Sequence, residues 1–205
     1  GLRFTPDFNG AEQEGVGLYQ FTIKGGIRNS AARAFLRPAM KRQNLRVETN
    51  AMTTKILFEG NRAVGVAYVQ NGQALQARGR EVIVSGGAIN SPQLLQLSGI
   101  GPGALLQSLG VPVVRDNANV GAKMQDHHGI NYTWRMTVPT LNDELRPWWG
   151  KLKAGLEYIL LRKGPLSLSI NQGGGFFRTH PEMTRPNMQL YMQAFSTLIP
   201  KAGER

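Results

Sequence analysis

The spacing of the hydrophobic residues changes near residue 45, and the new pattern predicts β-structure. Residues 45–80 carry Val, Ile, Thr and Tyr at alternate positions, with breaks at Glu59-Gly60-Asn61 and at Asn71-Gly72. A period of two is typical of half-buried strands, and Asn-Gly between two such runs is a strong hairpin signal. The pattern therefore predicts an antiparallel β-meander. The apolar run EVIVS, residues 81–85, is predicted to be the strand that ends it.

A glycine pair, Gly86-Gly87, follows EVIVS and leads into a predicted helix. Ser91 is a suitable N-cap, and Pro92 fits the first helical position, where a missing N–H group costs nothing. Gly99 is suited to end this helix in the left-handed conformation. The segment therefore predicts a strand, a glycine turn and a capped helix. Because free N–H groups at a helix start favour anions, a phosphate site at residues 86–92 stays open.

The remaining segments predict a mixture of helices and strands. Residues 1–28 suggest an extended arm that is strand-like only at 18–23, and Pro38 should end a helix over 29–42. A short helix is predicted before Gly110, and an amphipathic one from Pro147 to Gly164. Strands are predicted at 111–114, 130–138 and 187–196, and a glycine-rich turn in residues 169–179. The fold class is α/β (α+β), with a domain boundary near residue 129.

Composition narrows the class of protein. The 205 residues include 25 Gly and 11 Pro, with 41% hydrophobic and 18% charged residues, which suits a loop-rich globular chain. No apolar window approaches the ~18 residues that span a bilayer, and no signal peptide is present. A cytoplasmic or peripherally membrane-associated protein is therefore expected. The absence of cysteine excludes disulfide and thiolate chemistry.

The formal net charge of +11 raises the question of an anionic partner. The cations are scattered, and no aromatic residues interleave with them to stack on bases. Specific nucleic-acid binding is therefore not expected. A solvated basic face, or an acidic complement elsewhere, is the simpler explanation of the charge.

No residue stands out as a catalyst or metal ligand. Asp126-His127-His128 lacks further ligands at metal-binding spacing, and adjacent histidines seldom bind one ion. Ser91 lacks the nucleophile elbow of a serine hydrolase, and Lys163 suits the end of a helix. Neither G-x-G-x-x-G nor G-x-x-x-x-G-K-[ST] occurs. The segment at residues 86–92 is therefore predicted to be a turn beside a sheet that lets another group approach closely, and whether that group is a ligand stays open.

The whole pattern resembles the glucose–methanol–choline (GMC) oxidoreductases. The stretch GGAINSPQLLQLSGIG, residues 86–101, is similar to the second signature of this family. The segments LGVPVVRDNANVGAKMQDHHG and YILLRKGPLSLSINQGGGFFRT also resemble the family, whereas the lysine and methionine before Gln125 depart from its usual pattern. The likeness covers residues 7–196 and is greatest to the branch of bacterial choline dehydrogenases and related alcohol dehydrogenases, which implies a bacterial protein.

The resemblance implies a partial FAD-binding domain over residues 1–128 and a partial substrate-binding domain over residues 129–205. It implies FAD as the cofactor, contacted by the backbone of Thr53 and by the turn Ser85, Gly86, Gly87 and Ala88. The family's pyrophosphate-binding motif is expected before Gly1 and its catalytic histidine beyond Arg205. No metal site is expected. The chain is thus expected to be an internal piece that is inactive alone and binds FAD weakly or not at all.

Several functions remain open at this stage. The resemblance implies oxidation of the CH–OH group of an alcohol, with hydride transfer to flavin and an unknown electron acceptor. A flavin-containing hydroxynitrile lyase of the same family is one alternative. Another is a piece without enzymatic function that self-associates through exposed sheet edges. The alcohol itself is not defined.

Overall fold

The structure is a computed structural model that describes residues 1–195. Its described residues form two compact units, one of residues 46–130 and one of residues 1–45 together with residues 131–195. The strands are β1 (Gly15–Leu18), β2 (Ile23–Lys24), β3 (Ile27–Arg28), β4 (Met52–Glu59), β5 (Arg62–Gln70), β6 (Gln73–Arg78), β7 (Ile100–Gly101), β8 (Arg115–Asp116), β9 (Asn171–Phe177) and β10 (Met188–Gln193). The helices are α1 (Arg37–Ala39), α2 (Gly87–Leu97), α3 (Gly103–Ser108), α4 (Leu141–Leu145) and α5 (Trp148–Leu161), with a π-helical turn (Ala32–Leu36) and a 3₁₀ turn (Pro165–Ser167).

The predicted β-meander is confirmed in the unit Arg46–Ile130. Strands β4, β5 and β6 form an antiparallel sheet in sequence order. Asn71 and Gly72 both have positive φ, 51° and 76°, as the mirror-image turn of a two-residue hairpin requires. Ile56 of β4 is buried and is one of the few core side chains of this unit.

The strand predicted at residues 81–85 is wrong. These residues follow β6 and have no regular secondary structure. A strand needs a neighbour that takes up its backbone hydrogen bonds, and the described part of the chain provides none at this position. The side chain of Ile83 is accordingly 80% exposed.

The predicted helix exists, but it begins five residues earlier than predicted. Gly86 is the N-cap of α2 and Gly87 its first residue, so Ser91 does not cap the helix and Pro92 lies inside it. Pro92, Leu94 and Leu95 are half-buried, and we attribute the earlier start to their packing, which must offset the lost backbone donor and the ring clash of a proline inside a helix. Gly99 follows the helix with φ +90°, which confirms the predicted glycine stop.

The region after α2 contains a small parallel β-pair. Helix α3 forms as predicted and is followed by Gly110 at φ +71°. The strand predicted at 111–114 is wrong, because the pairing residues are Arg115 and Asp116 of β8, opposite β7. Leu106 of α3, which is 1% exposed, fills the small core beneath this pair.

The other unit contains a three-stranded antiparallel sheet in the order β1-β9-β10. The glycine-rich turn predicted at 169–179 is wrong, since Gly173, Gly174 and Gly175 lie within the central strand β9. Here the glycines serve close approach, because a Cβ atom on Gly174 would collide with the Leu190 carbonyl and the Tyr19 hydroxyl. The rings of Phe8 and Phe176 pack beside this sheet, with centroids 5.1 Å apart.

The helices of this unit agree only in part with the sequence predictions. Helix α5 has Pro147 as its N-cap and confirms the predicted amphipathic helix. The π-helical turn continues directly into α1, which ends one residue after Pro38. The strand predicted at 130–138 is wrong, because these residues have no regular structure. The last predicted strand forms as β10, and Ser196 lies outside the described residues.

The fold class is confirmed as a mixture of helices and mainly antiparallel sheets. The functional boundary near residue 129 stays a prediction. Residues 1–45 belong to the same compact unit as residues 131–195, a grouping that the sequence did not predict. No described helix is both long and apolar enough to cross a bilayer.

Candidate functional site

The turn formed by Ser85, Gly86, Gly87 and Ala88 is an exposed connection into the N-terminus of α2. All four residues are exposed. Gly86 has φ −79° and ψ 2°, and Gly87 has φ +85°. This sharp change of direction leaves the first N–H groups of α2 without intrahelical partners, as at any helix start.

Glycine occupies the two positions of the turn for different structural reasons. A Cβ on Gly86 would lie 3.3 Å from the Cβ of Asn90, whereas a Cβ on Gly87 would meet nothing within 4 Å. Gly87 is therefore required by its left-handed φ and not by crowding within the chain. The open space beside Gly87 leaves its backbone accessible to a ligand.

Ser98 fixes α2 against the meander. Its Oγ accepts a hydrogen bond of 2.8 Å from the backbone N–H of Ile56 in β4 and donates one of 2.6 Å to the carbonyl of Leu94. Ser98 is 1% exposed, so both bonds are shielded from water. The bond to Ile56 connects the helix that carries the turn to the strand that carries Thr53.

Thr53 is the second residue of β4, and its side chain is exposed. It lies opposite Tyr68, and the register shifts between Thr53 and Lys55. Thr54 occupies this bulge and donates a hydrogen bond of 3.2 Å from its hydroxyl to the carbonyl of Ala67. Because β4 is an edge strand, part of its backbone faces away from β5.

The structure brings Ser85, Gly86, Gly87 and Ala88 together because they are consecutive, and it places Thr53 on a strand attached to the same helix. No charged side chain occurs in the first turn of α2. The surface therefore offers backbone donors and small side chains, which suit a polar group held by shape and hydrogen bonds.

The histidine pair shows no catalytic arrangement. The backbone N–H of His127 donates to Oδ1 of Asp126 at 2.7 Å, and His128 is exposed beside it. In the described part of the chain, no three His, Asp or Glu residues converge as metal ligands would. The location of the catalytic residues beyond Arg205 stays a prediction.

Three supporting residues were missed by the sequence predictions. Ser98 is described above, Gln96 donates from Nε2 to the Val120 carbonyl at 2.9 Å, and Asp116 accepts a 2.8 Å hydrogen bond from the Gly103 N–H. Only Ser98 has a local signal, a small polar residue between a leucine run and the helix-ending glycine. The other two bonds join residues that are distant in sequence.

The match to a family model places this arrangement among known proteins. The model described as GMC oxidoreductase matches residues 1–129, which include the meander, the turn and α2. The chain belongs to the GMC oxidoreductase family. The resemblance noted from the signature GGAINSPQLLQLSGIG is thereby confirmed.

Particular relatives narrow the comparison to choline dehydrogenases. The chain is 43% identical over 194 residues to the oxygen-dependent choline dehydrogenase of Staphylococcus xylosus, and 45% identical over 193 residues to the mitochondrial choline dehydrogenase of Homo sapiens. Each alignment covers 93% of this chain, but only 34% and 32% of the relative. The chain thus spans about a third of the length of these relatives.

Solved structures agree with this assignment. A FAD-dependent oxidoreductase from Chaetomium thermophilum matches 86% of this chain and 32% of its own, with a TM-score of 0.74 and 28% identity. A formate oxidase matches 86% of this chain and 31% of its own, with a TM-score of 0.76 and 25% identity. The named relatives are oxidoreductases and lend no support to the hydroxynitrile lyase alternative.

Proposed function

We propose that this chain forms the adenine-side wall of a FAD pocket in an enzyme that oxidises the CH–OH group of an alcohol. The support is its membership of the GMC family and its similarity to proteins named choline dehydrogenase and alcohol dehydrogenase. Residues 1–128 belong to the FAD-binding part and residues 129–205 to the substrate-binding part. The family match, which ends at residue 129, supports this boundary.

The observation that carries the proposal is the exposed turn at the start of α2, anchored to β4 through Ser98. The open space beside Gly87 and the small side chain of Ala88 fit a planar group laid against the backbone. The backbone of Thr53 on edge strand β4 supplies the second contact. These residues bind and orient the cofactor, and FAD, when bound, supplies the acceptor for the hydride of the alcohol.

The 205-residue chain alone is proposed to bind FAD weakly and to lack turnover. The sequence contains no G-x-G-x-x-G, the motif with which this class of fold holds a dinucleotide pyrophosphate on a helix N-terminus. The described residues also contain no His–carboxylate constellation beside the turn. Purified chain carrying stoichiometric flavin absorbance, or reducing an artificial acceptor with choline or a primary alcohol, would contradict this proposal.

The direct test is Ala88→Asp in the protein at the full length that its gene encodes. A carboxylate at the second position of a helix interacts favourably with the helix dipole, so α2 should remain folded. The same carboxylate would occupy the space proposed for the planar group and would lose its hydration there, which should weaken FAD binding by about tenfold or more. The dissociation constant is measured by flavin fluorescence on titrating the apoprotein.

Ala104→Asp is the matched control. Ala104 is also exposed and is the second residue of a short helix, α3, away from the turn. This variant should bind FAD as the unmodified protein does. Equal FAD affinity in both variants would show that the turn does not face the cofactor, whereas equal loss in both would indicate a general effect of charge.

A further inference from the structure

The tip of the hairpin between β5 and β6 is the asparagine–glycine pair Asn71-Gly72. Both residues are exposed, and a Cβ atom built on Gly72 would meet nothing within 4 Å. Among the described residues, the N–H of Gly72 donates to no backbone carbonyl. Solvent therefore reaches the nitrogen that follows Asn71, and no main-chain hydrogen bond in this part of the chain holds it in place.

This pair has the chemistry of spontaneous amide loss. Glycine has no side chain to obstruct its nitrogen as it approaches the Cγ atom of the preceding asparagine. A bond forms between the Gly72 nitrogen and Cγ of Asn71, the bond from Cγ to Nδ2 breaks, and Nδ2 leaves as ammonia with the proton of the attacking nitrogen. Water then opens the cyclic imide, at Cγ to give aspartate or at the main-chain carbonyl carbon to give isoaspartate.

A second exposed pair of the same type, Asn9-Gly10, is held differently. The N–H of Gly10 donates to the Asp7 carbonyl at 3.2 Å, and the N–H of Asn9 donates to Oδ1 of Asp7 at 2.9 Å. Attack on Cγ requires the glycine nitrogen to turn toward the asparagine side chain and to lose its proton, and a hydrogen bond from that nitrogen opposes both. The two pairs therefore have the same chemistry but unequal freedom to react.

The hairpin depends on the residues that react. Asn71 and Gly72 have φ values of +51° and +76°, which glycine adopts without strain and asparagine tolerates better than most residues, so the mirror-image turn selects this pair. An isoaspartate carries the chain through Cβ and Cγ and lengthens the turn by one backbone atom. The pair next to the turn, Gln70 opposite Gln73, then loses its geometry. Strand β6, whose one neighbouring strand among the described residues is β5, is loosened as a result.

We propose that Asn71 is a site of spontaneous covalent modification, at which loss of the side-chain amide gives isoaspartate and aspartate and weakens the attachment of β6 to the meander. The pair Asn9-Gly10, which Asp7 holds, reacts more slowly in the folded protein. Water is the only co-reactant. The proposal does not depend on the flavin function.

The test is ageing of the full-length gene product in mildly alkaline buffer, followed by brief tryptic digestion of fresh and aged samples side by side. Asn71 and Asn9 fall in the tryptic peptides 63–78 and 4–24, and neither peptide contains a second asparagine. Mass spectrometry then gives the fraction of each amide converted to a carboxylate. We expect Asn71 to react about fivefold faster than Asn9 or more, since the hydrogen bond that holds Gly10 must open first.

The same measurement in guanidinium chloride separates structure from sequence. With both turns unfolded, Asn71 and Asn9 should react at similar rates, because each is followed by glycine. Equal rates in the folded protein would overturn the proposal. So would an Asn71 that reacts in guanidinium chloride but stays intact in the folded protein, because the turn or the rest of the protein would then protect it.

The matched control is Asn71→Gly, because Gly-Gly also favours the mirror-image turn and carries no amide. Aged unmodified protein should accept methyl groups from an isoaspartate-specific carboxyl methyltransferase, and Asn71→Gly should lose most of this labelling. Ageing should also lower the urea midpoint of the unmodified protein more than that of the variant. Labelling that the variant keeps in full, or an equal fall of both midpoints, would overturn the proposed site or its effect on β6.

Discussion

At the residue scale, the structure gives Ser98 more importance than its sequence position suggests. One hydroxyl group accepts from the meander and donates to the helix, at distances of 2.8 Å and 2.6 Å. A buried N–H group without a partner costs more than an average hydrogen bond contributes. Ser98 therefore controls how the turn at residues 85–88 is held against β4.

Ser98→Ala should lower the free energy of unfolding by about 1–3 kcal/mol, because the buried N–H of Ile56 loses its acceptor. The measurement is chemical denaturation followed by circular dichroism. Ser108→Ala is the matched control, since Ser108 also donates to a carbonyl of its own helix, Leu105 at 2.8 Å, but is exposed. It should cost less than about 0.5 kcal/mol. Similar losses in both variants would contradict the role given to Ser98.

Residue-level prediction from the sequence succeeded where a residue type has one strong backbone preference. Asn71-Gly72 and Gly99 were predicted correctly because their positive φ values are a local property. Ser91 was misassigned because a cap signal is also local, and packing of the helix overrode it. Thr53 and the turn at 85–88 came from the family resemblance, since their proposed roles depend on a ligand that no local pattern describes.

At the scale of elements, the pair Glu14–Arg178 joins the start of β1 to the end of β9. A Glu14 oxygen accepts a 3.0 Å hydrogen bond from the Arg178 backbone N–H, and the guanidinium contacts the carboxylate at 2.7 Å. The guanidinium hydrogen bond, followed by that backbone bond, lowers the pKa of Glu14 below its ordinary value of 4.5. The pair is partly exposed, so its contribution to stability is small.

Glu14→Gln should reduce the loss of stability in acid. A carboxylate whose pKa is lower in the folded state stabilises the fold above pH 4.5, and this contribution disappears as the pH falls through the folded-state pKa. The urea midpoint of the variant should therefore be slightly lower at neutral pH and should change less between neutral and acid pH. Glu182→Gln, at an exposed loop position, is the control and should follow the unmodified protein.

Whether an element was predicted depended on where its partners lie. The strands of the meander were found because each pairs with its sequence neighbour across a short turn. Strand β9 was missed because three glycines resemble a turn until β1, which is far away in sequence, and β10, which follows after a loop, are placed beside them. The apolar run at 81–85 was assigned to a strand from its composition alone, and pairing cannot be deduced from composition.

At the scale of the whole molecule, charge and exposed apolar surface act in opposite directions. Residues 15–47 contain no Asp or Glu, and the net charge of +11 disfavours non-specific association. In contrast, the buried apolar residues among those described are only Phe8, Ile56, Leu106 and Ala154. Strand β6, at the edge of the meander, is exposed throughout and is the edge on which self-association is expected.

Gln76→Lys should weaken self-association of the 205-residue chain, because a lysine on an edge strand opposes pairing with a second copy. Gln107→Lys adds the same charge at an exposed position of α3 and serves as the control. Sedimentation velocity over a range of concentrations should show a shift toward monomer in the first variant only. Equal behaviour of the two variants would exclude β6 as the contact.

The two sheets also differ in when they can form. Strands β4–β6 are complete within residues 52–78, so the meander has only local contacts to close. Strand β1 cannot pair until residues 173–176 of β9 are available, and β9 also pairs with β10. During synthesis the N-terminal arm therefore emerges long before its sheet exists, and formation of that sheet should be the slow, chaperone-sensitive step of folding.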